Sequence, residues 1–353
     1  MSSVYIISDN GKLTKVNETL EFRYIDGTIR KIFPYKSDVL IVSGDVSFTG
    51  QAIKLLTRHG IDTIFLSRNG MFNGKLQFSQ NKNVFLRQKQ YKMLDDSFKC
   101  LTLAKSIVMT KLKNQLTVMQ RIKRKKNEAE ELGKAIASVR QCISKVENTD
   151  SLDKLRGIEG VGARNYFSVF KYNLIPEWAS FPKRSKNPPL SNVNAVLSFL
   201  YTLLMYRVEA AIESSSLDPM VGFLHALDYG KNALVFDMME EFRAPVVDTL
   251  CASVFNLGIL DPEDFEEKSF EEEFSSESEI NEEVSEEKQK PIYLNKKGLN
   301  KVITAFEKKI ESEIIYAALN KKMSLNRIII EQVKHLKRVI NDEETEYKGF
   351  LYR

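Results

Sequence analysis

The strongest constraint on the fold is a change of hydrophobic period near residue 84. Before it, apolar runs alternate with polar residues and end in turn-forming pairs, as in "FRYIDGTIRKIF", which is typical of β-strands. After it, apolar residues recur at helical spacing, and "NVFLRQKQYKMLDDSFKCLTLAKSIVMTKLKNQLTVMQRIKRKK" contains neither glycine nor proline. The sequence therefore predicts an α+β protein, with a small β-rich N-terminal domain over residues 1–82 and a larger, all-α domain over residues 83–353.

Local signals refine the N-terminal domain. Asp26-Gly27 lies between two alternating runs and predicts a hairpin with a type I′ turn, which needs positive φ at both central residues. "SFTGQAIKLLTRHG" predicts a short helix that is N-capped by Ser47 or Thr49 and ends before Gly60.

The C-terminal domain is predicted to be helical throughout, without a transmembrane span. No apolar run approaches the roughly 18 residues that a span needs, and the N-terminus has no secretory pattern. The three cysteines are widely separated, so we expect reduced thiols in the cytoplasm. Helices are predicted over residues 84–126, 128–147, 151–156, 162–171, 191–214, 218–229, 231–257 and 296–340.

Charge is distributed unevenly along the chain. Residues 261–290 hold 14 acidic and 3 basic residues, a net charge of −11, whereas the whole chain carries +5 and the remainder therefore +16. An excess of this size suggests a polyanionic partner such as nucleic acid. The acidic segment is predicted to be disordered, either as an inert spacer or as a tether that competes with DNA for the basic surface.

One histidine and two carboxylates occur together in "GFLHALDYGKNALVFDMMEEFR". Asp237 and Glu240 are three residues apart and share a helix face, and Gly230 and Asn232 allow a turn that brings His225 opposite them. The stretch is compatible with a divalent-metal site and with a capped turn between two amphipathic helices.

A second acidic residue lies among glycines, in "GIEGVGA". Glu159 is flanked by Gly157 and Gly160, which allow the backbone to approach another helix or a phosphate closely. The alternative is a glycine-rich helix start with an acid in its first turn, where the helix dipole favours it.

Three longer blocks, "GIEGVGARNYF", "KRSKNPPLSNVNAVLSFLYTLL" and "GFLHALDYGKNALVFDMMEEFRAPVVD", resemble the signature blocks of CRISPR-associated protein one, in the same order. The resemblance extends to "FLRQKQY" and "EYKGFLYR", so it covers nearly the whole chain. It implies a metal-dependent DNA endonuclease and integrase that inserts spacers into CRISPR arrays. It also implies a homodimer, which we expect to form largely through residues 1–82, and a second CRISPR-associated protein as partner in a heterohexameric or heterotetrameric complex.

The resemblance also implies the site residues. Glu159, His225 and Glu240 correspond to the family's metal ligands, and Asp237 to a second acid of the same block. Two carboxylates and an imidazole suit Mg²⁺ or Mn²⁺. The acidic segment at 261–290 departs from the family pattern.

Basic residues near these blocks are candidates for DNA binding. They are Arg164, Lys183, Arg184, Lys186 and Arg243, and the loop "FPKRSKNPP" presents three of them as phosphate contacts require. The basic cluster "QRIKRKK" is equally compatible with DNA contact and with a solvated helix end. Tyr172, Trp178 and Phe181 suit base stacking or a core position, and the other two histidines, His59 and His335, are predicted to be structural or surface residues.

Two other functions remain compatible with the residues. A general repair nuclease would use the same metal ligands, because hydrolysis and strand transfer differ only in the attacking oxygen. A non-catalytic DNA-binding scaffold would use the basic surface alone.

Overall fold

The structure is a computed structural model that describes residues 3–68, 70, 72–77, 83–125, 130–186, 188–267 and 290–352. The described chain divides into two compact units. The first comprises residues 3–77, 262–267 and 292–301, and the second comprises residues 83–261, 290–291 and 302–352. The predicted junction at residue 82 lies outside the described residues.

A six-stranded sheet with the order β3-β2-β1-β4-β5-β6 forms the first unit. Pairing is parallel between β1 and β4 and between β4 and β5, and antiparallel elsewhere. One helix, α1 (Gly50–His59), buries its apolar face against the sheet, and Thr49 caps it by accepting from Ala52 N–H. The strands are Ser3–Val16 (β1), Thr19–Tyr24 (β2), Ile29–Ile32 (β3), Val39–Phe48 (β4), Asp62–Leu66 (β5) and Phe72–Leu76 (β6).

The predicted hairpin is present between β2 and β3, but its turn differs from the predicted one. Gly27 has a φ of +84°, whereas Asp26 is not among the residues with positive φ. The loop is longer than two residues, and the Asp26 carboxylate accepts a hydrogen bond from Thr28 N–H at 2.8 Å. This side-chain bond stabilises the turn without the second positive φ that a type I′ turn requires.

Helices dominate the second unit, as the sequence predicts. A two-stranded sheet of β7 (Phe265–Glu267) and β8 (Ile292–Leu294) belongs to the first unit, and one of β9 (Glu313–Tyr316) and β10 (Lys321–Ser324) belongs to the second. The helices are Val84–Leu94 (α2), Ser97–Lys125 (α3), Glu130–Glu147 (α4), Leu152–Ser168 (α5), Asn192–Ser214 (α6), Ala233–Phe242 (α7), Thr249–Asn256 (α8), Lys296–Ile310 (α9) and Leu325–Ile340 (α10), with a π-helical turn, Arg243–Asp248, between α7 and α8.

By length and composition α6 is apolar enough to cross a membrane, but it is a core helix. Of its most apolar 18-residue window, 72% is buried inside the protein. The apolar character of α6 therefore reflects burial on nearly every side.

Four helix predictions were wrong in detail. The helix predicted over 84–126 is two helices, α2 and α3, which are separated at residues 95–96. Residues 218–229 form a loop, because the Asp237 carboxylate binds their backbone N–H groups in place of a helical ladder. One continuous helix, α5, runs through all three glycines where two helices were predicted. The helix predicted over 296–340 is interrupted by the β9–β10 hairpin, whose first strand begins after Ser312.

The prediction of disorder does not hold for the start of the acidic segment. Pro262–Asp264 form a 3₁₀ turn, and β7 pairs with β8. The buried Asp264 carboxylate lies 2.5 Å from the Lys301 ammonium, which neutralises it. Residues 268–289 lie outside the described residues.

Candidate active site

Two acidic residues on different helices, Glu159 of α5 and Glu240 of α7, contact the same cation, Lys111 of α3. Helix α3 packs against both α5 and α7. It approaches α5 closely because Gly162 has no side chain: a Cβ there would lie 2.3 Å from Leu112 Cδ2. The sequence thus uses one of its glycines to bring the two carboxylates to one place.

The Lys111 ammonium lies between these carboxylates. It forms a short ion pair with Glu159 Oε1 and lies 2.5 Å from Glu240 Oε2. Only 8% of the Lys111 side chain is exposed. Burial alone would lower the pKa of this lysine, but the charges of Glu240 and Glu159 outweigh it, so its pKa is raised and it remains a cation.

Glu240 is the most enclosed of the acidic groups that contact Lys111. Its Oε1 accepts from Arg243 Nε at 3.0 Å and lies 3.9 Å from His225 Nε2. Burial acts to raise the pKa of Glu240, but the charges of Arg243 and Lys111 hold it below its usual value. Glu240 is therefore ionised at neutral pH although it is 4% exposed.

Asp237 holds the loop that carries His225. Its carboxylate accepts from the backbone N–H groups of Phe223, Leu224 and His225 at 2.6, 2.9 and 2.9 Å, and it is fully buried. It also lies 2.7 Å from His225 Nδ1. Asp237 therefore holds the imidazole at Nδ1, and Nε2 is the ring nitrogen that faces Glu240.

The donor set fits a hard or borderline divalent cation. Glu159 and Glu240 supply carboxylate oxygens, and His225 supplies an imidazole whose other nitrogen is held by a carboxylate, as in many metal sites. As placed, the part of the chain that the structure describes holds no cluster of three or more His, Cys, Asp or Glu side chains close enough to share an ion. The Lys111 ammonium contacts both carboxylates and so holds the position between them.

These residues line a pocket of about 810 Å³. Its walls come from α3, α5, α6, α7, the loops before α6 and α7, and the π-helical turn after α7. Glu159, His225 and Glu240 share it with all five basic residues predicted to bind DNA, which are Arg164, Lys183, Arg184, Lys186 and Arg243. Asp237, which supports His225 from behind, is not among the lining residues.

The side chain of Tyr201, on the pocket wall, contacts two of these basic residues. The guanidinium groups of Arg184 and Arg243 lie 5.5 and 4.9 Å from the centre of the Tyr201 ring. The Tyr201 hydroxyl donates to Asp248 Oδ1 at 2.5 Å. Burial raises the pKa of Asp248 to about 6, so it is largely ionised at pH 7. Arg184 also donates to Asn194 at 3.0 Å, which anchors the basic loop.

The remaining candidates have structural or surface roles. His335 accepts from Lys348 N–H at 2.9 Å, and His59 is exposed. Trp178 packs on Phe255 and Phe181 is buried, whereas the Tyr172 hydroxyl donates to Glu131 at 2.7 Å. In "QRIKRKK", residues 123–125 are exposed, and Lys126 lies outside the described residues.

Sequence reasoning missed Lys111, Tyr201 and Asp248. A signal for Lys111 was available: buried polar residues Thr110, Lys111, Asn114 and Gln115 recur at helical spacing within an otherwise apolar face of α3. Polar groups are buried at such positions only when they have partners.

Fold and site together define a class: a chain with a β-rich unit and a helical unit, in which carboxylate and imidazole groups lie within a cation-lined pocket. A family model described as CRISPR associated protein Cas1 matches residues 4–277. The chain belongs to the Cas1 family. The resemblance of the three signature blocks is thereby confirmed.

Named relatives and solved structures agree with this membership. The chain is 27% identical over 359 residues to a "CRISPR-associated endonuclease Cas1 1" of Moorella thermoacetica, covering 100% of this chain and 99% of the relative. It is 33% identical over 273 residues to a "CRISPR-associated endonuclease Cas1" of Leptospira interrogans, covering 76% and 100%. A casposase bound to integration product has the same fold, with a TM-score of 0.83 at 20% identity, covering 99% of this chain and 93% of the casposase. A chain of a Cas6-RT-Cas1–Cas2 complex matches with a TM-score of 0.83 at 22% identity, and the match covers 100% of this chain and 36% of that chain.

Proposed function

We propose that the protein is a metal-dependent DNA endonuclease and integrase that inserts spacer DNA into a CRISPR array. The observation that carries the proposal is the shared pocket: five basic residues and the Glu159, His225 and Glu240 groups face one space. Cations on the pocket wall would bind phosphates beside the groups that suit a divalent ion. The names of the relatives, all endonucleases of this family, support the same activity.

In this proposal Glu159, His225 and Glu240 hold Mg²⁺ or Mn²⁺. The ion supplies Lewis-acid stabilisation of the charge that develops on the phosphoryl oxygen. Asp237 acts through His225, because it fixes the proton on Nδ1 and thereby the lone pair on Nε2. The exposed cations Arg164 and Lys183 position the DNA backbone.

The reaction proposed is a transesterification. The 3′-hydroxyl of an incoming fragment attacks a phosphodiester at the repeat boundary, so that one P–O bond forms as another breaks and the leaving strand takes the proton. Water as the nucleophile would give cleavage at the same site, which is the activity of a general repair nuclease. A scaffold function is disfavoured, because Glu159, His225 and Glu240 are all present, and phosphate binding alone does not require all three.

An assay of strand joining separates these functions. Labelled fragments with free 3′ ends are incubated with a supercoiled plasmid that contains the repeat, with and without the second CRISPR-associated protein and with Mg²⁺ or Mn²⁺. Label that becomes covalently attached to the plasmid supports an integrase. Nicking without attachment supports a general nuclease, and neither product supports a scaffold.

The proposed assembly is a cytoplasmic homodimer that associates with DNA and with a Cas2 partner. Support for self-association comes from the first unit, which exposes apolar residues at the β3 and β6 ends of its sheet: Ile25, Ile29, Phe33, Tyr35, Phe72 and Leu76. Exposed edges and apolar patches of this kind are normally covered. Sedimentation at micromolar concentration tests the dimer, and a species of only 40.5 kDa would contradict it.

A further inference from the structure

The carboxylates around Lys111 are already paired with cations. Lys111 contacts Glu159 and Glu240, and Arg243 contacts Glu240. The side chains of Lys111 and Glu240 are 8% and 5% exposed, so water screens these charges poorly.

A divalent ion that enters this group meets two obstacles. It must displace the Lys111 ammonium from the position between the carboxylates, and it adds two positive charges to a largely buried group whose carboxylates are already paired with cations. Separating a buried ion pair is costly when no new partner arrives. The same carboxylates that suit a metal are therefore already ion-paired with Lys111.

A DNA phosphate removes the second obstacle. The pocket that contains these groups is open to solvent through its basic wall, where Arg164, Lys183 and Lys186 are exposed. A phosphate bound there adds negative charge beside the displaced ammonium and the ion. Metal and phosphate therefore reduce each other's electrostatic cost.

We infer that Lys111 is a built-in competitor for the metal position, which makes metal binding and DNA binding mutually dependent. The site binds Mn²⁺ or Mg²⁺ weakly in the free protein and more tightly when DNA occupies the pocket. By linkage the metal raises DNA affinity by the same factor. This inference rests on the proposed function, since it assumes that Glu159 and Glu240 are metal ligands.

The test is Mn²⁺ binding, measured by electron paramagnetic resonance of the free ion, with and without a short DNA duplex. The Glu159→Ala variant with the same duplex gives the background from ions that bind DNA alone. Wild-type protein should bind Mn²⁺ at least about fivefold more tightly with DNA than without it, within the range usual for coupled sites.

Replacing Lys111 should remove the dependence of metal binding on DNA. Lys111→Met is expected to bind Mn²⁺ more tightly than wild type in the absence of DNA, and to gain less from added duplex. It should melt at a lower temperature than wild type in EDTA, because two carboxylates are left adjacent, and recover more when Mn²⁺ is added. Lys113→Met, exposed on the same helix, is the matched control and should behave as wild type.

The outcomes distinguish this inference from the proposed function. Equal Mn²⁺ affinity with and without DNA in wild-type protein would overturn the inference and leave the metal site standing, and this comparison does not depend on the variant folding. Weaker binding by a folded Lys111→Met protein would also overturn it. Unchanged Mn²⁺ binding by Glu159→Ala would overturn the metal site itself.

Discussion

Asp237 and His225 are joined twice: one carboxylate oxygen, Oδ1, lies 2.9 Å from the histidine backbone nitrogen and 2.7 Å from its ring Nδ1. The same side chain therefore fixes both the path of the loop and the direction of the imidazole. Its other oxygen accepts from Phe223 and Leu224 N–H, so both oxygens are occupied by the loop. This explains why a loop rather than a helix carries the histidine.

Asp237→Asn should loosen this loop. The amide nitrogen cannot accept hydrogen bonds, so at least one buried N–H loses its partner, at a cost of about 1–3 kcal/mol in the free energy of unfolding. Mn²⁺ affinity should fall by roughly 10–100-fold, as for other residues that orient metal-bound histidines. Urea denaturation and Mn²⁺ titration measure the two effects. Asp228→Asn, on the exposed part of the same loop, is the control, and equal behaviour of the two variants would refute the role of Asp237.

Glu241 should make stability depend on pH. It is fully buried, accepts from Tyr347 O–H and Phe350 N–H, and burial raises its pKa to about 7. The folded state therefore binds a proton more tightly than the unfolded state, whose glutamate has a pKa near 4.5. The stabilising contribution is fully present below pH 4.5 and is lost as the pH rises through about 7.

Glu241→Gln removes this titration. The difference in the free energy of unfolding between the variant and wild type should shift in favour of the variant by about 1–3 kcal/mol as the pH rises from 5 to 8, because only wild type loses the contribution of the protonated Glu241. Chemical denaturation at several pH values measures the difference. Glu346→Gln, exposed one residue before Tyr347, should show no such trend. A constant difference between Glu241→Gln and wild type across this range would contradict the assignment.

Gly349 lies where residues 345–352 pack on α3. A Cβ at this position would lie 2.3 Å from Thr110 Oγ1 and 2.8 Å from its Cγ2, and Thr110 precedes Lys111. We expect Gly349→Ala to destabilise the protein by about 1–3 kcal/mol through overpacking. Adding Thr110→Ala should recover part of the loss. If thermal unfolding of Gly349→Ala matches that of the exposed-site control Lys348→Ala, the close contact is not important.

The exposed pocket cations should contribute to DNA affinity without contributing to stability. Arg164→Ala and Lys183→Ala should each weaken DNA binding and reduce the slope of log K against log salt by about 0.7–0.9. Melting temperatures should stay within error, because both side chains are exposed. Lys321→Ala, on β10, serves as the control for net charge. An unchanged salt slope for both pocket variants would exclude phosphate contact at these positions.

Sequence patterns predicted the change from strands to helices, because hydrophobic period is a local property. The basic residues were predicted one by one from their nearness to the signature blocks, and only the fold brings them into one pocket. Sequence patterns did not predict the Asp237-bound loop, since "GFLHALDYG" is compatible with a helix until a carboxylate 12 residues on binds its N–H groups. Lys111 was missed for a similar reason. It lies 48 residues before Glu159 and 129 before Glu240 in the sequence, and only the packing of three helices brings them together. Tyr201 and Asp248 likewise meet only through tertiary contacts.

The most direct test of a single metal-dependent site is a double-mutant cycle on the joining reaction. Joining rates are measured for wild type, Glu159→Ala, Glu240→Ala and the double variant, at saturating Mn²⁺ and DNA. If both carboxylates hold one ion, each single variant should lose roughly 10³-fold or more, and the double variant should lose hardly more than either, because residues that act as a unit are not additive. Losses that multiply in the double variant, or a single variant that joins DNA at the wild-type rate, would contradict the account.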